Sequence, residues 1–148
     1  MATSNAATNY LERRLLNFLF KNNAAISGVT FASPGDSIYV GLATAVATAE
    51  TGSLTEASYT NYARQQVAAS AWTTIGADST DAQTAKNTNN IEYSASGTDG
   101  TSTITHVFIA DASSSGNILF VGQLDAPKAI AEGDIFRINA TNLSIELK

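Results

Sequence analysis

An antiparallel β-sandwich or jelly-roll-like barrel with one N-terminal amphipathic α-helix is the fold that this 148-residue chain predicts. Three observations carry the prediction. The last third, from Ile104 to Lys148, reads as four strands joined by short turns. Helical spacing of apolar residues is convincing in one segment alone, near the start. Between the strand-like runs, about eight in all, no helical pattern alternates, which excludes a parallel βαβ architecture.

The helix comes first. Asn9 is a candidate cap with Glu12 three residues on, a box that satisfies unpaired amides of the first turn. Leu11, Leu15, Phe18 and Leu19 then share one face, Leu16 and Phe20 widen it, and Arg13, Arg14, Asn17 and Lys21 lie elsewhere. Burying such side chains stabilises by about 1.5 to 3 kcal/mol each, so the stripe must pack on something. The two readings are the wall of its own sandwich and an oligomer contact.

Asn22, Asn23 and Gly28 end the helix, and Ser33-Pro34-Gly35-Asp36 turns into a strand in which Ile38, Val40 and Leu42 share a face. Residues 43–61 are small, aperiodic and read as an exposed loop. Tyr62-Ala63-Arg64-Gln65-Gln66-Val67 and the segment around Trp72 make two further strands, residues 76–90 a second loop, and Ile91 with Tyr93 a short strand. Ser94 to Ser102 closes the loop-rich middle. The run Ile104-Thr105-His106-Val107-Phe108-Ile109 is rich in β-branched and aromatic residues, as a half-buried pleated surface prefers. Ile118-Leu119-Phe120-Val121 is apolar on both faces, which predicts a place inside the sandwich, and Asp125-Ala126-Pro127 stops that strand. Ile135, Phe136 and Ile138 form the next strand, and Leu143, Ile145 and Leu147 alternate with polar residues in the last. The expected organisation is a single domain over 1–148, with residues 1–23 as helix and docking arm and 37–148 as the sandwich body.

Composition narrows the function classes. The chain is 44% hydrophobic and only 14% charged, with a net charge of −5. That balance suits neither disorder nor a nucleic-acid binder, which needs a basic excess. Residues 1–36 carry Arg13, Arg14 and Lys21 against Glu12 and Asp36, a net of +1 within the total of −5, which leaves −6 for the remainder. A basic arm on an acidic body points to docking onto an acidic partner. No apolar run approaches the roughly 20 residues needed to span a bilayer, and Arg13 and Arg14 sit inside the apolar region rather than before it, unlike a secretory signal.

Chemistry-bearing residues are sparse. Cysteine is absent and His106 is the one histidine, so neither a thiolate nor a histidine-rich metal site is expected, and no cofactor is implied. His106, Asp111 and a serine make a nominal hydrolase triad, but no nucleophile elbow of the Gly-x-Ser-x-Gly type occurs, and a mid-strand histidine is usually structural. Glu132-Gly133-Asp134 is turn chemistry rather than a carboxylate pair for catalysis or calcium. Arg64, between Tyr62 and Gln66, reads as a member of a structural ion pair. No catalytic residues are assigned.

The ordered series Ile38-Tyr39-Val40-Gly41-Leu42, Tyr62-Ala63-Arg64-Gln65 with Val67, and Thr105-His106-Val107-Phe108-Ile109 with Asp111-Ala112 resembles a family of small tailed-bacteriophage virion proteins. Gly116-Asn117-Ile118-Leu119-Phe120 with Gly122 and Leu124, Ile130 with Gly133-Asp134, Phe136-Arg137 and Leu143-Ser144-Ile145 continue the pattern. Members are commonly labelled tail fibre proteins, and similar small β-sandwiches serve as cement proteins on phage heads. The resemblance implies a non-enzymatic component of the virion, assembled in the host cytoplasm. The leading expectation is a capsid-surface cement or decoration protein that oligomerises and stabilises the head shell, with the major capsid protein or other virion proteins as partners and neither nucleic acid nor membrane among them. Its docking face would be Leu11, Arg13, Arg14, Leu15, Phe18, Leu19 and Lys21. The alternative is a tail fibre or tail-tip subunit that binds the host surface, with Tyr59, Tyr62 and Trp72 as exposed loop contacts.

Overall fold

In the computed structural model the described residues are 6–11, 38–73, 83–97 and 102–147. They form a mainly β molecule whose paired strands are all antiparallel: β1 (Ala6–Ala7), β2 (Ile38–Thr48), β3 (Ser53–Glu56), β4 (Gln65–Val67), β5 (Gln83–Lys86), β6 (Ile91–Glu92), β7 (Ser102–Ala110), β8 (Ile118–Ile130), β9 (Arg137–Ile138) and β10 (Ser144–Leu147). The main sheet runs β1-β8-β7-β2-β3, and β4 joins the same edge of β2 as β3, pairing with its first residues while β3 pairs with its last. The ladders β5–β10 and β6–β9 supply the second layer.

The core lies between the layers. Val40 and Leu42 of β2, Ile104 and Val107 of β7 and Ile130 of β8 meet Ile91, Tyr93, Phe136 and Ile138 from the other side. Ile104 and Val107 are three residues apart, although side chains alternate along a regular strand. A register break between Ile104 and His106 resolves this, because a bulge lets both point inward. At that break β7 spends one residue, Thr105, where β8 spends four, Leu124 to Pro127. The strand therefore does not stop at Asp125-Ala126-Pro127 as the sequence predicts. Proline cannot donate to a ladder, so its pairing with β7 lapses there and resumes at Lys128.

The stretch 43–61, expected as an exposed loop, is instead the end of β2, the strand β3 and a buried connection: Ala49 and Ala57 are 0% and 3% exposed. Its small side chains hide the strand signal while allowing close packing. Two register breaks in the β2–β3 ladder bend this hairpin, and Val46 and Leu54 pack with Ala43, Ala49, Phe108, Ala110 and Val121 on the outer face of the main sheet. Gly41, the partner of Phe108 in the ladder, is needed there, since a Cβ would lie 2.2 Å from the ring.

Other expectations shift in detail. The Tyr62–Val67 strand shrinks to β4, and the segment around Trp72 becomes a 3-10 turn over Ala69–Ala71 followed by one bridge between Trp72 and Asn87. Within the second expected loop, Gln83–Lys86 is a strand paired with β10. The strand expected over 135–138 is only the two-residue β9. At the N-terminus a helix opens at residues 9–11, but its cap is Thr8 rather than Asn9: the Leu11 N–H donates to Thr8 Oγ1 at 3.4 Å. The Asn9 N–H donates to Glu50 O at 2.6 Å, and the Thr8 hydroxyl to Ile118 O at 2.7 Å, which pins the arm to the hairpin tip and to β8. Arg13, Arg14, Leu15, Phe18, Leu19 and Lys21 lie outside the described residues. No helix among the described residues is long and apolar enough to cross a membrane.

Candidate functional site

The densest polar cluster among the described residues is built around Arg64. Its position just before β4 sends the guanidinium over the Phe108 ring, 5.0 Å from the centroid, on the sheet face that Gly41 leaves open. Nε and Nη2 donate to the two oxygens of Glu56 at 2.8 and 2.7 Å, and Nη1 donates to the carbonyls of Ala112 and Ser115 at 2.9 and 2.7 Å. One side chain thus ties the end of β3 to the β7–β8 turn. The Arg64 side chain is 5% exposed and that of Glu56 31%. Burial pushes the Glu56 carboxyl up, but hydrogen bonds from Arg64 and Tyr62, with the Arg64 charge, outweigh it and hold the group below its usual range. The bond to Glu56 likewise raises Arg64.

Tyr62 carries the cluster into the core. Its hydroxyl donates to Glu56 Oε1 at 2.8 Å and accepts the Leu42 N–H at 3.0 Å, and its ring stacks on Tyr93, centroids 6.0 Å apart. Tyr59 meets Tyr62 edge-on, Tyr93 meets Phe136 edge-on, and the Tyr93 hydroxyl donates to Val40 O at 2.9 Å. Burial pushes the phenols of Tyr59, Tyr62 and Tyr93 up, so all three stay neutral. The expected loop contacts are therefore not exposed aromatics. Tyr59 is 4% exposed, and half-buried Tyr62 and Trp72 pack against the core.

The remaining polar groups are also spent internally. Asp111 accepts the Asn117 N–H and Nδ2–H, both at 2.7 Å, closing the β7–β8 turn at its base while Ser113, Ser114 and Ser115 stay exposed. His106 is half-buried with Nδ1 2.8 Å from Thr105 Oγ1, and burial lowers its pKa. The nominal triad partners thus bond elsewhere. Buried Asn87 donates to the carbonyls of Asn89 and Asn139 and accepts the Leu143 N–H, stapling the end of β5 to the turn before β10. Among the described residues no group of three acidic or histidine side chains lies within reach of one metal ion.

Concave surface remains in two places. An apolar groove of about 730 Å³ opens at the mouth of the sandwich, between Ile109, Phe120 and Leu124 on one side and Leu143 and Ile145 on the other. A second cleft, about 600 Å³, lies where the β8 bulge meets residues 135–139, and is lined by Leu124, Asp125, Lys128, Ile135, Arg137 and Asn139 among others. These residues were not candidates from the sequence. The available signal was Pro127 within an otherwise strand-like run, which marks a bulge or an edge as well as a stop.

A family model described as podophage GP4 fiber I protein gp80 matches residues 6–146, nearly the entire chain. The chain belongs to this podophage fiber I protein family. A comparison with curated proteins found no match. Membership in the fiber I family makes the chain a phage virion structural protein and bears out the resemblance read from the ordered strand motifs. The capsid-cement expectation gains no support from a fiber family, and the tail-fibre alternative fits better. The fiber I sandwich described here presents short turns, the exposed β7–β8 loop and the two clefts as its outer features.

Proposed function

We propose that this chain is a non-enzymatic subunit of the phage tail fibre, a compact β-sandwich block that assembles with copies of itself and with other virion proteins and takes part in contact with the host surface. The observation that carries the reading is the fiber-family match over residues 6–146. What supports the non-enzymatic part is that the conspicuous polar side chains, Arg64, Glu56, Asp111, Asn87 and His106, are engaged in bonds that hold strands and turns together. A rigid scaffold with short, braced loops is what a fibre subunit needs, since loops on a firm framework are where contact surfaces are usually carried.

The test uses antibodies raised against the purified chain. Gold-labelled antibody is expected at the tail of intact particles, and Fab fragments are expected to slow adsorption to host cells. Label confined to the head, with adsorption unchanged, would overturn the proposal.

A further inference from the structure

The β8 bulge leaves charges that the chain does not use. Asp125 and Lys128 stand exposed on it, three positions apart and of opposite sign, and neither forms an ion pair or hydrogen bond among the described residues. Ile135 lines the same cleft and is the large hydrophobic side chain left mostly exposed among the described residues, at 52%. Arg137, also at the cleft, is held by Glu92 across the β6–β9 ladder through Nε at 2.6 Å, which fixes that wall.

We propose that this cleft is a two-fold self-association surface, in which Ile135 of each copy packs into the cleft of the other while Asp125 of each meets Lys128 of the other. The chemistry of the patch selects a second copy of this chain. A surface that holds one positive and one negative group around an apolar centre is complementary to itself under a two-fold axis, the isologous arrangement. A partner carrying a single sign of charge would set one of the two groups against a like charge. Pro127 has no N–H to donate and Lys128 guards the strand edge, so the contact runs through side chains rather than by extending the sheet. A patch this small pairs weakly in isolation and strengthens where many copies are held side by side. The proposal deepens the assembly part of the fibre reading and rests on it only for its setting in the particle.

Sedimentation velocity on the purified full chain, from about 10 μM to about 1 mM, tests it. The wild type is expected to self-associate reversibly, and Ile135→Lys to weaken association at least about tenfold. Asp125→Lys alone and Lys128→Asp alone should weaken it comparably. Their equimolar mixture should regain association, because one variant then presents only positive and the other only negative charge. Circular dichroism spectra matching wild type confirm folding, which substitution at exposed positions should preserve. A wild type monomeric at about 1 mM, an Ile135→Lys protein that associates normally, or a mixture no tighter than either single variant would each overturn the proposal. None of these outcomes depends on where the protein sits in the particle, so a fibre role and this surface fail separately.

Discussion

Replacing Arg64 with methionine keeps much of the side chain's length and removes its charge and fork. Four hydrogen bonds vanish, two to Glu56 and one each to the carbonyls of Ala112 and Ser115, together with the contact over Phe108. Removing one partner of a fully buried ion pair costs about 3 to 5 kcal/mol. Two features moderate that here: Glu56 is 31% exposed and keeps its bond from Tyr62, so part of its charge remains solvated. The two stranded carbonyls, near the surface, and the lost cation–π contact each add about 0.5 to 1 kcal/mol. The expected loss is about 3 to 4 kcal/mol, a drop in Tm of roughly 10 °C for a domain of this size. Arg64→Lys keeps the charge but cannot bridge both sites, and should lose about half as much. Urea unfolding followed by Trp72 fluorescence measures both, and hydrogen exchange should show the 111–117 turn opening faster in Arg64→Met. A loss below about 1 kcal/mol with unchanged exchange would refute the idea that Arg64 braces the turn and the hairpin; such a value is typical of an exposed pair.

Three further outcomes follow from the packing and the titrations. Gly41→Ala should destabilise by about 1 to 3 kcal/mol, because the new methyl meets the Phe108 ring and the overpacked sheet must shift, as equilibrium unfolding would show. Stability should fall on acidification through the carboxylate range: the Glu56 pKa is lower folded than unfolded, so its contribution is complete above the ordinary carboxylate value and is lost as pH drops through the folded one, and Glu56→Gln should flatten that part of the pH–stability curve. Asn87→Ala leaves the Leu143 N–H and two carbonyls without their partner, for an expected cost of about 2 to 4 kcal/mol, with faster amide exchange at the β5–β10 ladder than in the main sheet.

Strands with β-branched or aromatic side chains were legible in the sequence: β7, the first half of β8 and β10 lie where their patterns place them. Those made of alanine, threonine, serine and glutamine were not, which is why β3, β5 and the latter part of β2 read as loops. Their burial comes from the bend of the hairpin over Phe108 and from Asn87, long-range effects that leave no local period. Arg64 as a structural ion pair was readable, because so few basic residues are available to so many carboxylates. Tyr59 and Tyr62 were misread as loop contacts because the flanking small residues looked solvent-facing, whereas the Tyr59–Tyr62–Tyr93–Phe136 chain of rings buries them. The cleft at the β8 bulge was hidden by treating Pro127 as a terminator.

The central claim, that this sandwich is a tail-fibre subunit, is tested most directly by cryo-electron microscopy of the intact particle. Density matching the main sheet and its Arg64-braced hairpin is predicted within the tail fibre. The same density on the capsid shell, with none in the fibre, would contradict the account.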